Sequence, residues 1–212
     1  MKEFGLVAMK PQSTSVKVAD QLRERIIDGY FAPGQQINES LVSSQLNLSR
    51  GPVREALQRL SQEGLLVSKP NRGVFVVELT PKDVDEIYGV REILELGAAQ
   101  IIMAQPAERR EEVAEELRKV AVRLTEAAGE DDWESVFKLD LEFHTTLVSE
   151  SGNSRLLRAY TTLAAETLMC MRNLEQSYPA SSSVTTHLMM AEMIGEGSMD
   201  EVRSAFHRHL TV

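Results

Sequence analysis

Apolar residues recur at two different periods along the chain, and the change between them marks its organisation. From Val16 to Asp28 the apolar positions Val18, Leu22, Ile26 and Ile27 follow helical spacing. Gly29 ends that helix and Pro33-Gly34 predicts a turn. Asn38 can cap a short second helix running to Leu46, with Leu41, Val42 and Leu46 turned inward. Asn47-Leu48 reads as a tight turn, and Ser49 caps a third helix that continues to about Glu63, where Gly64 closes it. The period then shortens. Leu65 to Ser68 and Val74 to Val77 are β-rich runs, and the Lys69-Pro70-Asn71-Arg72-Gly73 segment between them predicts a hairpin.

After Thr80-Pro81, an N-cap followed by a helix-compatible proline, the pattern is helical throughout. Segments are expected at about 81–104, 107–128, 131–150, 154–177, 183–195 and 198–210, separated at Pro106, Gly129, Gly152-Asn153, Pro179 and Gly195 with Gly197. Ser181-Ser182-Ser183 reads as a loop and cap. The fold class is therefore mainly α: three helices plus a β-hairpin, then an all-α bundle of about six helices. The expected division is a mobile arm at 1–15, a first domain at 16–78, a linker at 79–81 and a helical domain at 82–212. Met169, Met171, Met189, Met190 and Met193 sit at helical spacings and are expected in the core, as is Cys170.

Composition adds two exclusions and one asymmetry. No run approaches 18 apolar residues and Met1 to Gln12 lacks an apolar signal segment, so no membrane partner and a cytoplasmic location are expected. A single cysteine rules out an internal disulfide and a cysteine-rich zinc site. The net charge of −9 is unevenly spread. Residues 1–80 carry ten Lys and Arg against eight Asp and Glu, a balance of +2, and the remainder carry thirteen against 24, a balance of −11. A mildly basic head on an acidic body suits a DNA reader joined to something else.

Three helices and a hairpin within one small domain make a winged helix-turn-helix. On the helix that starts at Ser49, Val53, Ala56, Leu57 and Leu60 share one side, and Arg50, Gly51, Arg54, Glu55 and Gln58 lie opposite and beside them. Arg50 and Arg54 stack near the helix start, where their forks suit guanine edges or phosphate, and Gly51 removes bulk where backbone would approach DNA. Ser40, Ser49 and Lys17 are candidate phosphate contacts, and Lys69 and Arg72 at the wing tip could reach phosphate or the minor groove. The alternative is that both helix arginines merely pair with Glu55 or solvent. The Pro33-Gly34 turn, Ser49-Arg50-x-Pro52-Val53-Arg54-Glu55-Ala56-Leu57, Glu63-Gly64-Leu65 and Asn71-Arg72-Gly73 closely resemble the DNA-binding head of the GntR family. That resemblance, over about 16–78, implies Arg50, Gly51 and Arg54 at the DNA interface and a homodimer on a short palindromic operator.

All four histidines lie in the body. Asp140 and His144 are four apart and project from one helix face, and His187 and His209 lie on other helical runs. One aspartate and three histidines from three helices could form an N3O site for zinc, or for nickel or manganese. His207 should point elsewhere, to solvent. Val90-Arg91-x-x-Leu94-Glu95, Asp140-x-x-x-His144, Gly152-Asn153-x-x-Leu156, His187 and the run from Asp200 to His209-Leu210 resemble the helical FCD domain of the fatty-acid-regulator branch of the same family. The resemblance implies that Asp140, His144, His187 and His209 bind a divalent metal whose coordination a small carboxylic-acid effector completes. Arg91 and Arg172 are candidates for holding the effector carboxylate, or else intra-bundle ion pairs. Relatives of this kind usually continue the last helix beyond His209, whereas this sequence stops at Val212, so either a weaker hold on the metal or a lost tail is expected.

The expected function is a dimeric, ligand-responsive transcription regulator, a repressor rather than an activator, and not an enzyme. Two alternatives remain: a metal-dependent enzyme acting on a small carboxylate, and a constitutive DNA-binding protein with a purely structural metal. The first lacks a placed general base, since Glu142 lies about 200° around the helix from Asp140.

Overall fold

A computed structural model describes residues 13–174 and 180–211, and the proposed arm up to Gln12 and the break at Pro179 lie outside them. The chain divides into two compact units after Glu78. The first contains α1 (Thr14–Ile27), β1 (Gln36–Ile37), α2 (Glu39–Gln45), α3 (Arg50–Gln62), β2 (Leu66–Lys69) and β3 (Gly73–Val76). Its core joins Val18, Ala19, Leu22 and Ile26 of α1 to Val53, Ala56, Leu57 and Leu60 of α3. Arg23 of α1 clamps Glu63 at the end of α3 through Nε and Nη2, at 2.7 and 2.9 Å. Burial raises the Glu63 pKa, but hydrogen bonds from Arg23 and Arg59 outweigh it and hold the carboxyl below its ordinary value.

The hairpin expected from sequence is part of a three-stranded antiparallel sheet ordered β1-β3-β2. Gln36 pairs with Phe75 and Ile37 with Val74 on one side of β3, and Leu66 pairs with Val76 on the other. Strand β1 has only two residues, too few for a period to register. The wing turn is pinned to it: Gln36 Nε2 donates to the Arg72 carbonyl at 2.8 Å. A Cβ added at Gly73, whose φ is +102°, would lie 2.7 Å from that amide nitrogen.

Helix α2 departs from expectation in its inward face. Asn38 caps it, accepting from the Ser40 and Leu41 backbone N–H groups, but Leu41 is 57% exposed. Val42 is buried as expected, and Ser43 is buried in place of Leu41. Ser43 can face inward because its hydroxyl donates to the Glu39 carbonyl at 2.8 Å, leaving no unsatisfied group. Ser49 has N-cap backbone geometry, yet its side chain makes no cap hydrogen bond.

The second unit is all helical: α4 (Pro81–Met103), α5 (Ala107–Gly129), α6 (Trp133–Glu150), α7 (Ser154–Thr161), α8 (Ala164–Leu174), α9 (Ala180–Glu196) and α10 (Met199–Leu210). Thr80 and Asp83 form a capping box at the start of α4, and Ser198 and Glu201 form another at α10. Leu117 and Leu124 of α5, Phe143 and Leu147 of α6, Ile194 of α9 and Phe206 of α10 form the core. Met169, Met171 and Met190 are buried, while Met189 is exposed on the outer side of α9. Cys170 packs against Val84 and Ile87, and burial pushes its thiol up to about 12, so it stays protonated.

The single helix expected over 154–177 is two helices. The backbone tightens where Thr162 and Leu163 donate three residues back, to Ala159 and Tyr160. The adjacent Thr161 and Thr162 hydroxyls also donate to carbonyls three residues earlier, competing with the helical ladder. Seven helices therefore form the body among the described residues, and α9 begins at Ala180, so Ser181 to Ser183 lie within its first turns.

Candidate metal centre and nucleic-acid interface

Four body helices converge on one polar cluster. Helix α4 continues an inward stripe of Val84, Ile87, Ala98, Ala99 and Ile102, and Arg91 and Glu95 are inserted into that stripe. Helix α6 contributes Asp140 and, one turn on, His144, beside Phe143 and Leu147. His187 comes from α9, and His209 from the last turn of α10, which Leu210 anchors at 3% exposure.

One ligand atom from each of Asp140, His144, His187 and His209 lies within 4.8 Å of all the others. His144 Nε2 faces His209 Nε2 at 3.0 Å, and His187 Nε2 lies 3.1 Å from Asp140 Oδ1. The rings are fixed by packing: Phe143 meets His187 edge-on at 4.8 Å, and His144 stacks on His209 at 5.0 Å. Thr186 Oγ1 holds His209 Nδ1 at 3.0 Å. His207 points away, exposed, with its Nδ1 2.9 Å from Glu92.

This donor set fits a divalent cation. Nitrogens each about 2.0–2.1 Å from a zinc ion stand about 3.3 Å apart at the tetrahedral angle, so the 3.0 Å between His144 and His209 needs to open only slightly to admit one. Among the described residues, Asp140 Oδ2 is buried and accepts no hydrogen bond. Burial alone would raise the Asp140 pKa, but the His187 hydrogen bond, the neighbouring imidazoles and Arg91 carry it far below the carboxylate range. His209 is held well below its ordinary pKa, by burial first and then by the neighbouring imidazoles, so its ring is neutral and able to ligate.

Arg91 is brought into the cluster, and Arg172 lies on α8 with its Nε buried. The Arg91 guanidinium is 1% exposed, donates from Nε to Glu95 at 3.2 Å, and lies over the Tyr88 ring at 4.9 Å. Its Nη2 is buried without a hydrogen-bond partner, 4.0 Å from Asp140 Oδ2. Arg172 lies on α8, where its charge reaches Glu134 in the first turn of α6. Sequence reasoning gave no role to Glu95, Tyr160 or Thr186. Only the four-residue spacing of Arg91 and Glu95 on an inward helix face signalled the first.

The head presents the opposite kind of surface. Arg50, Gly51, Arg54, Glu55 and Gln58 are all exposed along α3, and a Cβ at Gly51 would meet open space. Arg54 is 70% exposed and forks onto Glu39 of α2, with Nε and Nη2 at 3.2 and 2.9 Å from its oxygens. Its pairing partner is therefore Glu39, not Glu55. Ser40, Ser49 and Lys17 are exposed. At the wing, Lys69 Nζ lies 4.7 Å above the Phe75 ring and Arg72 is exposed.

Two family models match the chain in these same regions. Residues 14–76 match the bacterial regulatory proteins of the gntR family, and residues 86–212 match the FCD domain. The chain belongs to the GntR family of bacterial regulatory proteins. Its relatives and its two matched regions are those of transcription regulators with an FCD domain. YdhC of Bacillus subtilis (strain 168), an HTH-type transcriptional regulator, is 33% identical over 147 residues, 69% of this chain and 65% of its own. The gluconate operon transcriptional repressor of Bacillus licheniformis is 31% identical over 157 residues, 71% of this chain and 60% of its own. The chain thus spans less than two thirds of either relative. A GntR regulator structure from Rhodococcus sp. RHA1 superposes with a TM-score of 0.77 at 24% identity, covering 94% of both chains, which supports the fold. Among the described residues no helix is long and apolar enough to cross a membrane.

Proposed function

We propose that this GntR regulator is a metal-containing repressor whose hold on a palindromic operator is released by a small carboxylate. The observation that carries the reading is the convergence of Asp140, His144, His187 and His209 from three helices onto one point. Three imidazoles and one carboxylate leave room in the shell of a divalent ion, zinc before nickel or manganese. A bound ion supplies a Lewis acid able to take a carboxylate oxygen. Arg91 offers a buried Nη2 beside the same cluster, a charge suited to the other oxygen. Arg172 is assigned to the effector end on its charge and its place on α8.

In the head, Arg50 and Arg54 read base edges, Gly51 permits close approach, and Ser40, Ser49, Lys69 and Arg72 hold phosphate. The free hydroxyl of Ser49 and the open first turn of α3 support this assignment, since helix N-termini attract phosphate. A homodimer would place two such heads on the two half-sites. The gluconate repressor among the relatives, named for the operon of a sugar acid, agrees with both the sign of regulation and a carboxylate effector.

Effector affinity measured by calorimetry, with and without operator, tests the switch on wild type and His144→Ala. Operator DNA should weaken effector binding by the same factor that effector weakens operator binding. Unchanged effector affinity in the presence of operator would leave the metal a structural role only.

A further inference from the structure

Behind the proposed metal ligands lies a second buried group with three donors around one carboxylate. Glu95 is 0% exposed and 49 residues away in sequence from His144, whose Nδ1 it meets at 2.6 Å. Its other oxygen accepts from Arg91 Nε at 3.2 Å and from Tyr160 Oη at 3.0 Å. Both partners are themselves 1% exposed. Helices α4, α6 and α7 therefore meet at this carboxylate.

We infer that Glu95 is a positioning residue for the metal: it fixes His144 as the tautomer protonated on Nδ1 and aims the Nε2 lone pair at the ligand cluster, while Arg91 and Tyr160 hold Glu95 in place. The inference rests on the metal reading above. An imidazole has one donor and one acceptor nitrogen when neutral, and an acceptor on Nδ1 decides which is which. A ligating histidine whose far nitrogen donates to a carboxylate is also a better base toward the ion. An amide at position 95 could keep its oxygen on Arg91 Nε and Tyr160 Oη only by turning its N–H₂ toward His144 Nδ1, which would drive His144 to the other tautomer and put a proton on Nε2.

The coupling has a direction. Arg91 spends its Nε on Glu95 and keeps Nη2 beside Asp140 Oδ2. The same guanidinium thus stands between the carboxylate that orients one metal ligand and the carboxylate that is another.

The test uses the full chain, zinc alone, and competition with a chromophoric chelator on wild type, His144→Ala, Glu95→Gln and Tyr160→Phe. Glu95→Gln should bind one zinc about 10–100-fold more weakly. Tyr160→Phe, which removes one restraint on Glu95 and no charge, should weaken zinc by a few-fold, and His144→Ala should abolish measurable binding. Cobalt(II) loaded into Glu95→Gln should show a shifted or weakened absorption spectrum, because the His144 ring is no longer held. A merely structural role would lower the unfolding temperature of the metal-free protein and leave both zinc affinity and the cobalt spectrum as in wild type; that result overturns the inference. Wild-type metal content in His144→Ala would instead overturn the metal reading itself, and the inference with it. If Glu95→Gln does not fold, Tyr160→Phe decides: wild-type zinc affinity there refutes the role of Glu95.

Discussion

The head exposes its functional side chains to solvent, and the body buries its own. In the head, Arg50, Arg54, Lys69 and Arg72 stand in solvent on a small apolar core that they do not enter. In the body, Arg91, Glu95, His144, Thr167 and His187 are the buried polar side chains among the described residues of an otherwise apolar bundle. The difference follows from the partner each must meet. A DNA phosphate chain is an extended surface charge, and cations meet it from water with loose geometry. An ion held by four side chains needs fixed distances, which packed helices supply and loops do not. Head residues should therefore be separable from stability, and body residues should not.

The largest effect that could break this separation is expected at Arg91. Its guanidinium neutralises Glu95 at 0% exposure, and removing one partner of a buried pair leaves the other charge uncompensated. Arg91→Ala should destabilise the metal-free protein by about 3–5 kcal/mol in urea unfolding. A loss below about 1 kcal/mol, the range of exposed pairs, would show that the cluster is solvated and that the two regions do not differ in this way.

Acid should act on the same contrast. Asp140 and Glu95 have lowered pKa values in the folded state. Groups depressed on folding contribute stability above the unfolded carboxylate pKa of about 4, and lose it as pH falls through their folded values. Metal-free protein should lose stability steeply below about pH 4, with little relief from added salt. Glu63 in the head is lowered too, but it is part-exposed, and its smaller contribution should respond to salt. Equal salt sensitivity of the acid transitions of both units would contradict the assignment.

Metal should stabilise the body and leave the head unchanged. Zinc at a hundredfold excess over its Kd stabilises a native-only site by about 2.7 kcal/mol. The shift should appear in the unfolding transition of the helical unit, vanish with a chelator, and be missing in His144→Ala but kept in His207→Ala. An equal shift in His144→Ala would remove the quartet as its cause.

These expectations also show what could be read from the chain beforehand. Asp140 and His144 were legible because four residues on a helix bring side chains onto one face. The α3 face was legible for the same reason. The roles of Glu95 and Tyr160 were not, because the contacts of Glu95 with His144 and with Tyr160 join residues 49 and 65 positions apart, which no local period encodes. Leu41 misled because apolar character predicted burial, whereas Ser43 satisfied its hydroxyl within the helix and took the inward place. The break after Thr161 carried no glycine or proline, only two threonine hydroxyls that compete for backbone carbonyls.

On the head, Arg54→Ala should cost about 1–3 kcal/mol on a cognate operator and relax base preference, as for an arginine that reads a base. Glu39 sharpens that test. It occupies Arg54 Nε and Nη2 in the free protein, so the arginine must share or leave this partner on DNA. Glu39→Gln should therefore raise nonspecific affinity and lower the ratio of operator to nonspecific binding. An unchanged ratio in both variants would move base reading away from Arg54.

The smallest expected effect is at the wing. Lys69 lies over the Phe75 ring, and Phe75 pairs with Gln36 of β1, whose amide in turn holds the Arg72 carbonyl. The ammonium is thus steadied by a contact worth about 0.5–1 kcal/mol at an exposed site. A lysine held this way carries charge to phosphate without reading sequence. Lys69→Gln should weaken binding to operator and to unrelated duplex by similar factors, each within about tenfold at moderate salt. The slope of log affinity against log salt should fall by about one unit per half-site, because one counterion fewer is released at each. The measurement is a salt titration of binding by fluorescence anisotropy on both duplexes. Loss confined to the operator would make Lys69 a base reader. An unchanged slope would take Lys69 off the phosphate backbone and leave Arg72 as the wing's proposed phosphate contact.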